Sequence, residues 1–473
     1  MRRITFLIFF FGLSVSKSSF ASTDTLTYKA FITLLLGHHP IAAMADLRAM
    51  AGKAEFNKAQ GAFDPIIGAQ YDRKYFDGKN YFSLFTSELK VPLWIGEVKA
   101  GYDYYYGAQI NPENLLPQDG MPYVGVSLPL IQNLFTDKKR TQLRQAQLFK
   151  ESASFERVSM LNDLLVNATV AYWDWSAAYQ KYLLNYSALE LAQQRHQMII
   201  QSVLLGDRPM IDTTESITQV QYRQVAAQQA LTEWFQATFD LSNYCWSTNQ
   251  SPVLLDTSVI AEIPESKFSL KEYVLDDQLN QLSSQPELNI YRLKVKSLDY
   301  ERKLKAELLK PQLNANYYLM GNGLDFSASS NQAFFTQRYK FGVDFQMPLL
   351  FAQSRSEYKL AKYKLQEVKY AYDLKQLSVA NKVKIYWYEL ENVRSQIGNL
   401  RQIVVNNKQL LEAEQDRFFN GESNVFLINA RENKYIESQE KLYELYAKLY
   451  KSESILLQQT GKLLSDIIKQ MER

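Results

Sequence analysis

The chain has 473 residues, 46% of them hydrophobic and 13% aromatic, with 31 Tyr but only 18 Gly and 13 Pro. Its 53 basic and 50 acidic residues give a net charge of +3, which excludes the strongly basic surface that a nucleic-acid partner would need. A single cysteine, Cys245, excludes an internal disulfide and reads as a small core residue.

Arg2 and Arg3 precede an apolar run from Ile4 to Val15, and Ser19-Phe20-Ala21 supplies small residues at the −3 and −1 positions. This predicts a secretory signal over 1–21, cleaved after Ala21. The apolar run is about a dozen residues, too short for a membrane anchor, which needs about 20. Arg2, Arg3 and Lys17 leave with the signal, so the mature chain is expected to be near neutral. No later stretch has the apolar length of a spanning helix. The exported protein is then periplasmic, secreted, or a β-barrel in an outer membrane.

Beyond the signal, the same order of parts occurs twice. Pro40 and Pro65 frame a stretch that Pro286 and Pro311 frame again, Tyr172-Trp173 recurs as Tyr386-Trp387, and the turn at Gly206 recurs at Gly421. This predicts an internal duplication, 22–247 and 269–461, with a linker at 248–268 and a tail at 462–473. In each copy a short helical segment (Leu26–Leu36, Leu270–Leu282) comes first. A helix of about 25 residues then ends at Pro65 or Pro311, and a β-like region closes on Leu128-Pro129-Leu130 or Met347-Pro348-Leu349. A proline-free helical run follows, about Thr136–Leu205 and Gln353–Phe419, and after the glycine turn a last helix reaches the neighbourhood of Ser247 or Gly461.

A helix of about 70 residues is about 100 Å long at 1.5 Å per residue. The two shorter helices together nearly match it, so they are expected to stack end to end beside it. Ile428, Tyr435, Leu442, Leu449 and Leu456 fall at steps of seven, mostly separated by polar residues, as in a supercoiled wall wetted on both sides.

The β regions alternate at a period of two. Tyr339, Phe341, Val343, Phe345 and Met347 interleave with Lys340, Gly342, Asp344 and Gln346; Val98, Ala100, Tyr102, Tyr104 and Tyr106 interleave with Lys99, Gly101, Asp103 and Tyr105. Lipid outside and water inside accounts for the pattern, with tyrosines serving as interfacial girdles. The first copy reads as four strands (about Ile66–Phe76, Tyr81–Leu93, Glu97–Ala108, Pro122–Leu130), with turns at Asp77-Gly78 and Ile95-Gly96. The second reads as two, about Gln312–Met320 and Phe335–Met347. Six strands cannot close a water-filled barrel in one chain, so several chains are required.

On these residues the chain resembles the TolC family of outer-membrane efflux and secretion channels. The likeness covers about Leu26 to Gly461 and rests on the duplicated helix–strand–strand–helix order and the proline-ended helices running into strands. The run Arg417-Phe418-Phe419-Asn420-Gly421-Glu422-Ser423, followed by Phe426-Leu427-Ile428-Asn429-Ala430-Arg431-Glu432, is similar to the family's second-copy turn.

The resemblance implies a mainly α fold with a β-barrel part: a homotrimer with a transmembrane β-barrel in outer-membrane lipid and a helical barrel crossing the periplasm. It implies a passive channel of a tripartite efflux pump or type I secretion system, served by a periplasmic adaptor and an inner-membrane pump, and opened where the helical tips move apart. Gly206 and Gly421 match the adaptor-docking tip turns, and Asp212 and Glu215 are candidates for the periplasmic constriction. Val98, Tyr102, Tyr104, Phe341, Val343 and Phe345 are the candidate lipid-facing positions. The first copy departs from the family's usual two strands. Its extra hairpin either gives eighteen strands per trimer rather than twelve, or folds over the outer mouth. The rival reading is a periplasmic coiled-coil adaptor or scaffold without a pore.

No catalytic constellation, metal site or cofactor is expected. The three histidines, His38, His39 and His196, offer no zinc spacing, and His38-His39 reads as a turn before Pro40. Gly461-Lys462 lacks the upstream glycine of a phosphate loop, and Gly321-Asn322-Gly323 reads as a strand-end turn.

Overall fold

The computed structural model describes residues 25–256, 258–264, 272–322 and 338–472. The predicted signal at 1–21, together with Leu270, Gly323 and Phe335, lies outside them.

Strand β1 (Thr25–Leu26) leads into helices α1 (Tyr28–His38) and α2 (Pro40–Gln60). Then come strands β2 (Ile66–Phe76), β3 (Lys79–Pro92), β4 (Glu97–Tyr106) and β5 (Met121–Pro129). Helix α3 (Lys138–Leu204) has 67 residues and α4 (Ile211–Ser242) has 32. The short strand β6 (Ile260–Ala261) and helix α5 (Leu275–Asn280) precede α6 (Pro286–Glu307). Strands β7 (Gln312–Met320) and β8 (Tyr339–Gln346) are followed by α7 (Ala352–Phe419, 68 residues), α8 (Val425–Gln459) and α9 (Leu463–Glu472).

Local chemistry sets these boundaries. Prolines at the first position of α2 and α6 have no N–H to leave unsatisfied. The side chains of His39 and Gln285 cap these helices, accepting from Ile41 N and Leu288 N. His39 is therefore a capping residue, buried against the Tyr244 ring, and burial lowers its pKa. Asp137 accepts from Arg140 N at 2.7 Å, so α3 starts two residues after the expected Thr136. Helix α4 ends at Ser242, five residues short of the expected limit, where Asn243, Tyr244 and Cys245 close onto it in a turn. The Cys245 thiol is pushed up to about 12 by burial.

Helices α2 and α4 lie in succession along α3, and α6 and α8 lie in succession along the groove between α3 and α7. Ion pairs mark the sequence of contacts: Arg157–Asp46 on α2, then Arg195–Glu432 on α8, and Lys305–Glu357 and Lys448–Glu389 against α7. The wall thus has four helix columns, with α2/α4 at one edge and α7 at the other. Its core is aromatic and midway along: Tyr172, Trp173 and Trp175 of α3 meet Phe31, Trp234 and Tyr446, and Trp173 stacks on Tyr450 at 4.0 Å. Tyr172 donates to the Leu26 carbonyl at 2.7 Å, and Trp387 donates to the Tyr273 carbonyl at 2.5 Å. Each long helix so pins the segment that opens its own half of the chain. In the heptad stripe of α8, Ile428, Leu442, Leu449 and Leu456 are buried and Tyr435 half-buried.

At the far end, α3 and α7 stop in the same way. Gly206 has φ +81° and Gly421 φ +77°, and in each turn the next N–H reaches back five residues, Asp207 to Ser202 O and Glu422 to Arg417 O. This is the left-handed glycine stop of a helix, which satisfies its last carbonyls. Gly421→Ala should cost about 1–2 kcal/mol, because a β-carbon in the left-handed region crowds the carbonyl. Thermal unfolding with hydrogen exchange at 415–430 would report it as faster local opening.

Candidate functional site

Three features of this architecture can serve a conduit: the sheet, the helical wall and the hairpin tips. The sheet has six strands in the order β2-β3-β4-β5-β7-β8, each antiparallel to its neighbour. The extra hairpin β3–β4 is therefore part of it, inserted between β2 and β5. Direct partners in such a ladder share a face, so the register assigns every side chain to one side.

On one side stand Ile67, Ala69 and Tyr71 of β2, then Phe85, Leu89 and Val91 of β3. Val98, Ala100, Tyr102 and Tyr104 of β4 follow, then Val124, Val126 and Leu128 of β5. Leu313, Ala315, Tyr317 and Leu319 of β7 and Tyr339, Phe341, Val343 and Phe345 of β8 complete it. The one charge on this side is Arg73, near the far end of β2. The other side carries Asp72, Lys74, Glu88, Lys90, Glu97, Lys99, Asp103, Lys340 and Asp344. All six positions expected to face lipid, Val98, Tyr102, Tyr104, Phe341, Val343 and Phe345, fall on the apolar side. Phe341 is 61% and Phe345 65% exposed, so neither is packed in a protein core.

The polar side is tied together across strands. Tyr123 donates to Glu88 at 3.0 Å, Ser127 to Asn316 at 2.6 Å, and Asn316 to Asp344 at 2.6 Å. A β-carbon at Gly101 would overlap the Tyr123 ring, and one at Gly125 would overlap Tyr318. These glycines are seats for tyrosines of the neighbouring strand. Gly125→Val should displace Tyr318 and lower sheet stability by about 1–3 kcal/mol, as overpacking does; detergent-resistant assembly on heating is the measurement.

At the tips, Arg208 gathers the residues around it. Its guanidinium lies 3.5 Å from Asp212, donates to the Phe418 carbonyl at 3.2 Å, and sits over the Phe418 ring at 4.0 Å. Asp212, flagged from the sequence, thus faces a cation on its own hairpin, while Arg208 reaches across to the second. Glu215 lies one turn along α4, half-buried. The sequence reading overlooked Arg208, although its spacing of four from Asp212 is that of a helical ion pair. It also overlooked Glu414, buried beside the second turn, which accepts from Ser423 at 2.5 Å and has Arg417 and Arg431 within 4 Å. Above the tips, Arg195 of α3 donates to Glu432 at 2.7 Å and Asn429 at 3.1 Å, all three buried. Nearby Arg223 donates to Asn433 at 2.5 Å, and burial lowers its pKa.

Among the described residues, no group of three or more His, Cys, Asp and Glu could hold a metal ion, and no single helix is long and apolar enough to cross a membrane.

Residues 280–461 match the family model described as outer membrane efflux protein. No curated protein matches the chain. Among solved structures, the Campylobacter jejuni CmeC outer membrane channel aligns at a TM-score of 0.64 and 12% identity, covering 94% of this chain and 88% of that one. The open state of the Neisseria gonorrhoeae MtrE outer membrane channel aligns at 0.65 and 13%, covering 92% and 89%. The outer membrane protein VceC of Vibrio cholerae aligns at 0.63 and 12%, covering 91% and 95%. Over residues 280–461 the chain is similar to the outer membrane efflux proteins, and along nearly all of its length it has the fold of the outer-membrane channels.

Proposed function

We propose that the protein is the passive outer-membrane channel of a tripartite efflux or type I secretion assembly, a homotrimer built from an internally duplicated chain. The observation that carries this reading is the two-faced sheet standing at one end of a wall of helices about 100 Å long. Lipid meets the apolar face, water fills the polar one, and the wall continues the water path through the periplasm. A pore-free adaptor or scaffold would have no use for an aromatic sheet face of this extent with a single charge near its end.

Trimer closure is supported by both edges of the wall. Column α7 exposes Tyr363, Tyr370, Leu374 and Leu377, and column α2 exposes Met44 and Leu47. Two unlike apolar edges on one chain make a head-to-tail contact, which generates a ring when the rotation closes. The paired stop turns and the matching helix order support the duplication. The tips at Gly206 and Gly421 are where an adaptor would dock, and an inner-membrane pump would supply the energy and choose the cargo. Purified protein is expected to insert into planar bilayers and conduct ions; silent bilayers beside a soluble monomer would defeat the reading.

Asp212 and Glu215 would line the periplasmic constriction. Asp212→Ala or Glu215→Ala should then weaken block by polyvalent cations. Arg208→Ala should do the reverse, since it strips Asp212 of its counter-ion, and should raise current by releasing Phe418. Unchanged block in all three variants would remove these residues from the constriction.

A further inference from the structure

We propose that the membrane end of the assembled channel is an eighteen-stranded barrel, six strands from each chain, with a bore that matches the helical tube beneath it instead of narrowing. The inference rests on the trimeric reading above and deepens it.

Four observations carry it. First, β3 and β4 are paired along their lengths, β3 with β2 and β4 with β5, so removing them from the wall would break two ladders. Second, the apolar face runs on through them, uncharged and broken only by Ser83 and Ser87: Phe85, Leu89 and Val91 continue Tyr71 on one side and Val98 on the other. A hairpin folded over the mouth would have water on both sides and no use for that alternation. Third, six antiparallel strands leave β2 and β8 as edges running in opposite directions. The β8 of one chain can therefore pair antiparallel with the β2 of the next, as an unbroken barrel requires. Fourth, Gly68, Gly101, Gly125 and Gly342 all lie on the polar face. That face must be concave if it lines the bore, and residues without side chains relieve crowding there.

The dimensions agree. Four helix columns per chain, at about 9 Å between axes, occupy about 36 Å of circumference. Six strands spaced about 4.8 Å and tilted about 40° occupy about 38 Å, whereas four would occupy only about 25 Å. Eighteen strands so give a backbone diameter of about 36 Å, against about 24 Å for twelve. The strand wall itself then adds no narrowing to the path set by the helical tube.

Spin labels in vesicle-reconstituted full-length protein test this. In a Cys245→Ser background, Phe85→Cys, Thr86→Cys and Phe341→Cys are labelled, and collision with oxygen, which partitions into lipid, is compared with collision with a water-soluble nickel chelate. Labels at 85 and 341 are expected to favour oxygen several-fold, and the label at 86 to favour nickel. If 341 favours oxygen while 85 favours nickel, the hairpin is outside the barrel and this proposal falls while the channel reading stands. If 341 also favours nickel, both fall. Electron cryo-microscopy of the unlabelled protein in lipid discs gives a count independent of any variant: eighteen strands are expected, and twelve would overturn the proposal.

Discussion

Arginine in place of Val343 is expected to cost roughly 2–4 kcal/mol per copy, the penalty for a guanidinium on the lipid face near the middle of a membrane barrel. In the proposed trimer the effect would be felt in every chain, so detergent-resistant oligomer should nearly vanish from outer membranes. Asp344, one residue on, points to the other side and hydrogen-bonds Asn316. Asp344→Arg should lose only that hydrogen bond, about 1 kcal/mol, and still assemble. Heat-modified gel mobility of the two variants reads the contrast directly. Equal loss in both would mean that the alternation does not divide lipid from water.

Removal of the Glu432 carboxylate should be the most damaging single change in the helical wall. Arg195 is buried with Glu432 as its anionic partner, and Arg223 lies close enough to feel the same charge. Glu432→Ala leaves a guanidinium out of water and uncompensated, which costs about 3–5 kcal/mol. Replacing both partners, as in Arg195→Met with Glu432→Leu, should recover most of the loss because no charge is stranded. Hydrogen exchange along 190–204 and 425–440 is the measurement: opening should accelerate strongly in the single variant and little in the double.

Much of this fold could be read from the chain because its signals are local. Pro40, Pro65, Pro286 and Pro311 punctuate the helices, and the two-residue period placed all six strands within two residues at each end that falls among the described ones. The turn at Asp77-Gly78 sits where the sequence put it, both residues with positive φ. What escaped is set by pairing over distance. Arg195 meets Glu432 across 237 residues and Arg208 meets the Phe418 carbonyl across 210. No pattern within either helix announces its partner; only the packing of α3 against α8 and of one tip on the other does. The place of the hairpin β3–β4 was open for the same reason, since alternation tells which way a strand faces but not which strand lies beside it.

Strand β2 is exposed along all eleven of its residues, and β8 along all but Gly342. Open ladders of this kind template onto any extended chain, and proteins usually blunt them with charge or proline. Here the sheet of the single chain is left open at both sides, so on the trimeric reading the lone subunit is an aggregation hazard until a second copy meets it. Refolding yield should therefore depend steeply on protein concentration and on the presence of lipid, and stability cannot be assigned to one chain apart from its neighbours.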